Sequence, residues 1–570
     1  MNGKPRLAQG LPEPEKMKKL SKKVLGDLLW KNPILRMQMR QRLRPRALII
    51  WGLITFIPCL FIFLNVYNSA SFSPYEDSGE ARILALKATF IPMLIAQGII
   101  LMFLGTGSVA GGMAEEKESG LLDYQRLTPM SPMAKIVGYL LGLPCREYLL
   151  LALTLPFTLI SAIGGQLPLG KVILLYTIFL CVALVYHLTA MVAGMLARKP
   201  RKASWFARIM VVLLNVFLPA LSQMGLTVFG HITIMPTLWG LMHSELGKDI
   251  DEEFLKLWEV VPFFSWELPP ALFSFVVLGF LMVIFLFILL RKWQQDSNHS
   301  LTKRFALFVF AVLQFLMIGS LLPHLSKEMD TYLFLKEMFP LNDGLAGAIL
   351  FLHLVLSLAT TILLIHLVTP LRHTLAKGIR RIRKLNMAKV PSNWDAAGSL
   401  PTTLGFIGMA TVVHILLLAS VIQETDNGIQ AQAYQLAMPI TLFAFMAFYT
   451  HAARTIWPTA GFFGFLALLW ILPELTGLTL AAFTQKEEPL LYFGVTNPIH
   501  ALFYTISISF KELTSFFGRE VRTGVGEQLS TVTFLSLAFH GGLAVLFLAM
   551  ATKWKRSLQM NAANIETRKK

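Results

Sequence analysis

Runs of about twenty apolar residues, separated by short polar stretches, recur along the whole chain. A bilayer core of ~30 Å is crossed by about 20 apolar residues in a helix. The pattern predicts twelve such spans, in two series of six. The first series covers residues 47–66, 86–110, 136–163, 171–197, 209–240 and 268–290. The second covers 305–323, 345–369, 402–422, 435–453, 456–482 and 531–552. The fifth run is long and carries Pro219, Gly225 and Pro236, which predicts a broken helix. The apolar stretch 489–510 is interrupted by Asn497-Pro498 and reads as a re-entrant or interfacial segment. Between the two series lies the polar stretch RKWQQDSNHSLTKR, Arg291 to Arg304.

Composition agrees with this reading. Of 570 residues, 55% are hydrophobic and 15% charged, with a mean hydropathy of +0.60. A soluble protein carries about 25% charge, so a disordered chain, a fibrous repeat and an ordinary cytosolic enzyme are excluded. The fold class expected is all-α, a polytopic membrane protein. The net charge is +18, which in a soluble protein would suggest nucleic acid. Its distribution says otherwise. With loops placed alternately, one side receives 39 Lys and Arg and the other 11, with Arg146 near a helix start. That asymmetry predicts the basic side to be cytoplasmic, with both termini there. No nucleic-acid partner is expected. The first apolar run begins near Ala47, behind a long basic segment, so no cleavable signal peptide is expected.

The expected organisation is a cytoplasmic segment 1–46, a six-span unit 47–293, a linker 294–304, a second, divergent six-span unit 305–556 and a tail 557–570. Within 1–46, Met17, Leu20, Val24 and Leu28 alternate with lysines at helical spacing, as in a helix lying in the membrane interface. Pro33 suits the first turn of a following helix, on which Arg36, Arg40, Arg42, Arg44 and Arg46 reach toward lipid phosphates.

The loop between spans two and three, residues 111–135, departs from the charge rule. It holds Glu115, Glu116, Glu118 and Asp123 against Lys117, Arg126 and Lys135. Its spacing predicts a short helix over 115–127, closed by Thr128-Pro129, presenting Leu121, Leu122 and Leu127. An acidic and apolar helix in a cytoplasmic loop is a docking element for a soluble partner.

This stretch resembles the first cytoplasmic loop of ABC-2-type transporter permeases, which reads E-(K/R)-E-x-G-x-L and then T-P-x-S. Glu116, Lys117, Glu118, Gly120, Leu122, Thr128, Pro129 and Ser131 match it in register. Gly138 to Gly142 (GYLLG) is similar to the family's G-K-L-L-G entry to the third span. Asn32, Pro33 and Arg40 match its N-P-(V/I)-L-x-x-E-x-R elbow. The departures are Gln38 for Glu, Tyr139 for Lys, and Gln125 and Arg126 for leucines. The resemblance covers residues ~30–293; the second half shares only span rhythm. It implies an ABC-2 (type V exporter-like) fold and a permease of a bacterial plasma membrane. ATP would be hydrolysed by a separate cytoplasmic ABC ATPase docked at Glu116–Ser131. The path would run between the two bundles or, in a homodimer, between chains. The weakly ionisable span interior favours an amphipathic or lipid-like substrate.

Other motifs point nowhere further. GQLPLGKV, Gly165 to Val172, mimics a P-loop, but Val172 stands where Ser or Thr must hold magnesium. His187, His353, His366 and His414 lie in spans without an acid at helical spacing, which favours helix–helix hydrogen bonding over a metal or proton relay. Arg146-Glu147 reads as an ion pair near the cytoplasmic interface or a contact to the elbow. The three cysteines read as apolar packing residues. No cofactor motif is present. The alternatives are a twelve-span secondary transporter, which would need matched ionisable residues at mid-membrane, and a membrane enzyme or scaffold with loop 483–530 as its active part.

Overall fold

The computed structural model describes residues 31–71, 78–223, 225–246, 258–294, 299–325, 342–387, 390–392, 394–424, 433–456, 459–485, 488–509 and 525–567. The amphipathic segment 17–28 and the stretches 247–257 and 510–524 lie outside them. Among the described residues twelve helices are long and apolar enough to cross a membrane, one for each predicted run. The chain is a multi-pass, almost wholly helical membrane protein.

Contacts divide it into two compact units. One comprises Met1–Phe217, Ile232–Asp249 and Ser274–Asp296; the other comprises Leu218–His231, Ile250–Phe273 and Ser297–Lys570.

The first unit opens with α1 (Pro33–Arg42) and the span α2 (Pro45–Ser71). The next span is α3 (Ser78–Gly98), a π-helical turn Ile99–Gly105, and α4 (Thr106–Glu118), continuous over some 40 residues. At 1.5 Å per residue it is about 60 Å long, twice the bilayer core, so its ends project from the membrane. After α5 (Leu121–Leu127) the expected third span proves to be two helices. They are α6 (Pro132–Gly142) and α7 (Cys145–Gly164), broken where Pro144 removes a backbone donor. α8 (Leu169–Leu196), α9 (Pro200–Gln223) and α11 (Pro270–Gln294) are further spans. The fifth run ends at Gln223, and the rest of it forms a short turn and α10 (Met235–Leu246).

Wide π-helical turns leave carbonyls without their usual helical partner. His187 of α8 bonds one of them, the Leu101 carbonyl, at 3.1 Å. Two further span histidines, His414 and His353, also bond neighbouring helices. His414 Nε2 reaches the Gln435 carbonyl at 2.8 Å, and His353 Nε2 reaches Gln314 at 3.0 Å.

In the second unit, Val261–Phe263 (β1) and Trp266–Leu268 (β2) pair as an antiparallel hairpin. The all-α expectation did not include it. Its aromatic tip is anchored where the Phe264 N–H donates to the Gly319 carbonyl at 2.8 Å. The spans are α12 (Lys303–Leu321), α13 (Asn342–Val368), α15 (Leu400–Glu424), α16 (Ala433–Thr455), the pair α17 (Thr459–Leu466) and α18 (Leu472–Thr484) joined by a π-helical turn, and α21 (Val525–Thr567). The basic helix α14 (Arg372–Lys384) lies between α13 and α15. The α19 (Glu488–Phe493) and α20 (Pro498–Ser509) helices flank Asn497; neither is long enough to cross a bilayer. Tyr504 Oη donates to the Leu491 carbonyl and closes one onto the other.

The most buried span is α16. Its Phe445 and Tyr449 pack against Phe547 of α21, with Tyr449–Phe547 centroids 5.1 Å apart.

Candidate functional site

The elbow is built from its caps. Asn32 Oδ1 accepts the Ile34 and Leu35 N–H groups at the start of α1, and Pro33 occupies the first turn. Its Nδ2 then donates to the Ala134 carbonyl of α6 at 2.7 Å. α6 has the same plan: Ser131 Oγ accepts the Ala134 N–H and Pro132 follows. The helices can meet because two positions on α6 lack a side chain. A Cβ at Gly138 would lie 2.8 Å from Asn32 Oδ1, and one at Gly142 would lie 2.8 Å from Gln38 Cβ. Asn32 is fully buried, whereas Arg40 points outward.

The acidic loop is not one helix over 115–127. α4 runs on to Glu118, Ser119 closes it, and Gly120 turns the chain at φ +76° into α5. This break separates the matched residues. Glu116 sits on the inner side of α4, 8% exposed, contrary to the expectation of a solvated docking acid. Gln38 Nε2 donates to its Oε1 at 2.8 Å and Tyr139 Oη to its Oε2 at 3.0 Å. Two of the four departures from the permease pattern, Gln38 on the elbow and Tyr139 on α6, therefore converge on the same carboxylate. Burial, and then the neighbouring Glu116 charge, pushes the Tyr139 phenol well above its usual range, so it stays a donor.

Lys117 spans outward to the Met195 carbonyl at the end of α8, 2.5 Å away. Leu122 is buried in the same core as Ile34, Met113, Tyr139 and Trp293. Buried Lys135 donates to the Gln125 carbonyl at 2.6 Å and the Thr128 carbonyl at 3.2 Å, capping the end of α5. Desolvation lowers its pKa. Trp293, at the end of α11, stacks on Tyr139 at 5.7 Å.

What remains exposed is a compact surface. Glu115 and Glu118 end α4, Leu121, Tyr124 and Leu127 recur every third residue on α5, and Pro129 and Ser131 follow. Leu127 is 85% exposed, which for a large apolar side chain on a packed turn marks a face without a partner in the chain. Asp123 is also exposed, paired to Arg126. Tyr124, Gln38, Tyr139, Lys135 and Trp293 were not among the site residues expected from the sequence. Only Gln38 and Tyr139 carried a signal, as mismatches to the pattern.

Arg146 and Glu147 do pair, at 2.6 Å, deep enough that Glu147 is buried and also accepts from Ser108 Oγ at 2.7 Å. The Arg146 guanidinium lies 4.6 Å over the Trp51 ring, so the pair ties α2, α4 and α7 rather than the elbow. No group of three metal-ligating side chains occurs among the described residues.

No protein-family model, curated protein or solved structure matches the chain.

Proposed function

We propose that this chain is the membrane-spanning permease of an ABC transporter, with an ABC-2-like arrangement in its first half. Its ATP would be hydrolysed by a separate soluble subunit, and its cargo exported would be amphipathic or lipid-like. The observation that carries the reading is the division of the motif from Glu116 to Ser131. Its inner residues fasten the loop to the elbow, and its outer residues form a rigid acidic and apolar knob. A knob fixed to three span ends can transmit a push from a docked ATPase into the membrane; a floppy loop cannot. The acidic rim steers a basic partner, and Leu121, Tyr124 and Leu127 supply an apolar anchor.

The reading also gives the chain no ATP site of its own, since Val172 supplies no hydroxyl for magnesium. Co-purification from native membranes is the test. An ATPase subunit is expected with the wild-type chain and lost with Leu127→Asp or Glu118→Lys at equal membrane levels. Saturable ATP binding by the isolated chain, or unchanged co-purification with both variants, would refute it.

A further inference from the structure

In the second unit a cavity of about 670 Å³ opens beneath α14. That is the size of a small-molecule site. Its position is set by span ends. Pro370 follows α13, Leu400 begins α15, Thr455 ends α16, and Trp554 closes the last span within α21; all four line it. The cavity therefore lies at the depth where lipid headgroups meet the hydrocarbon.

Leu375, Ile379 and Ile382 turn inward from α14 and make one wall apolar. The polar wall is satisfied internally: Ser399 Oγ donates to Thr369 Oγ1 at 3.0 Å and meets His451 Nδ1 at 3.1 Å. α14 is held in place where it crosses the following loop. A Cβ at Gly378 would lie 2.5 Å from Ala396 Cβ, and Arg381 stacks at 4.7 Å over Trp394.

The charge over this cavity has one sign. α14 carries Arg372, Lys377, Arg380, Arg381, Arg383 and Lys384 and no acid, and Arg383 lines the cavity. The nearest described acid in the loop, Asp395, accepts the His299 N–H at 2.9 Å. We propose that this cavity binds an anionic glycerophospholipid. Its acyl chain lies along Leu375, Ile379 and Ile382, and its phosphate lies at Arg383 under the cationic face of α14. A zwitterionic headgroup would bring a further cation to a site that has no acid to spare for it. A protein partner needs an exposed anchor, whereas these apolar side chains face into the cavity.

The proposal does not depend on the ABC reading, and its test uses no ATPase. Phosphatidylglycerol is titrated into the full-length chain in neutral detergent, and the melting temperature is followed by intrinsic fluorescence; phosphatidylcholine is the control. Two variants are compared with wild type: Arg380→Gln/Arg383→Gln/Lys384→Gln, and the cavity-filling Ile379→Trp. Phosphatidylglycerol should raise the wild-type melting temperature at mole fractions where phosphatidylcholine does not. Each variant should need at least tenfold more of it for the same rise. An equal response to phosphatidylcholine overturns the proposal. So does an unchanged titration in both variants. Loss in the charge variant alone means surface attraction without a pocket, and likewise overturns it.

Discussion

Glu116 has two oxygens and a donor for each, one from the elbow and one from α6. A buried carboxylate is tolerable only when so satisfied. The sequence places four acids in one loop without saying which is turned inward. Charged side chains are nearly always solvated, so all four read as surface. The information that singles out Glu116 lies 78 residues upstream at Gln38 and 23 downstream at Tyr139, where only a fold brings it together. Two outcomes follow from the geometry. Tyr139→Phe removes one donor and leaves Oε2 unpaired, at a cost of about 1–3 kcal/mol. Glu116→Lys sets an ammonium against Gln38 and Tyr139 donors and costs more, about 3–5 kcal/mol. Thermal melts of the purified chain should rank wild type above Tyr139→Phe and Tyr139→Phe above Glu116→Lys. A Glu116→Lys protein as stable as wild type would mean the cluster is not formed. For the same reason Glu116→Lys is a poor probe of docking, and Glu118→Lys a clean one.

Helix α5 owes its direction to a single backbone conformation. Gly120 adopts φ +76° with open space where a Cβ would stand, so a substitution there acts through dihedral strain and not through a clash. Asn visits the left-handed region far more readily than a β-branched residue. Gly120→Asn should therefore keep most ATPase co-purification, while Gly120→Val, strained by about 1–3 kcal/mol, should lose it with the transmembrane part still inserted. Equal loss in both would point to crowding by a partner at that spot instead.

The breaks between elements were harder to read than the elements. Apolar residues run from Ile136 to Ile163 with Arg146-Glu147 as the one charged interruption, so α6 and α7 look like one span, and Pro144 with that pair marks the division. In the same way Gly120 marks the division of α4 from α5. The hairpin at 261–268 is too short and too aromatic to rise above the surrounding apolar text. Spans are legible because a bilayer imposes a length; turns are not, because one residue suffices to make them.

At the scale of the molecule, each unit tests the alternation of spans by which ends it brings together. In the first unit, α1, the end of α4 and the start of α6 meet around Glu116. Lys117 reaches the end of α8, and Arg126 reaches the Lys292 carbonyl at the end of α11. In the second unit the start of α12 is tied to the loop before α15, where Lys303 donates to the Trp394 and Ala397 carbonyls. The ends of α13, α16 and α21 line the cavity beside that loop. These are the ends that simple alternation assigns to one face, and the loops on that face are the basic ones. The opposite face carries the α7–α8 turn, and there Lys87 pairs with Glu245 of α10 at 3.0 Å. The excess of Lys and Arg on one face predicts that face to be cytoplasmic, because basic loops are retained inside. Cysteine labelling separates the two orientations. Gly170 sits in the first turn of α8, next to the α7–α8 turn, exposed, with open space where its Cβ would stand, so Gly170→Cys should leave the fold undisturbed. Lys384 is exposed at the end of α14. In a background with Cys59, Cys145 and Cys181 replaced by Ala, a membrane-impermeant maleimide added to intact cells should label Gly170→Cys and spare Lys384→Cys until the membrane is opened. The reverse pattern inverts the topology and removes α5 from the compartment that holds ATP, which would end the ABC reading as well. Labelling of both in intact cells would break the alternation itself.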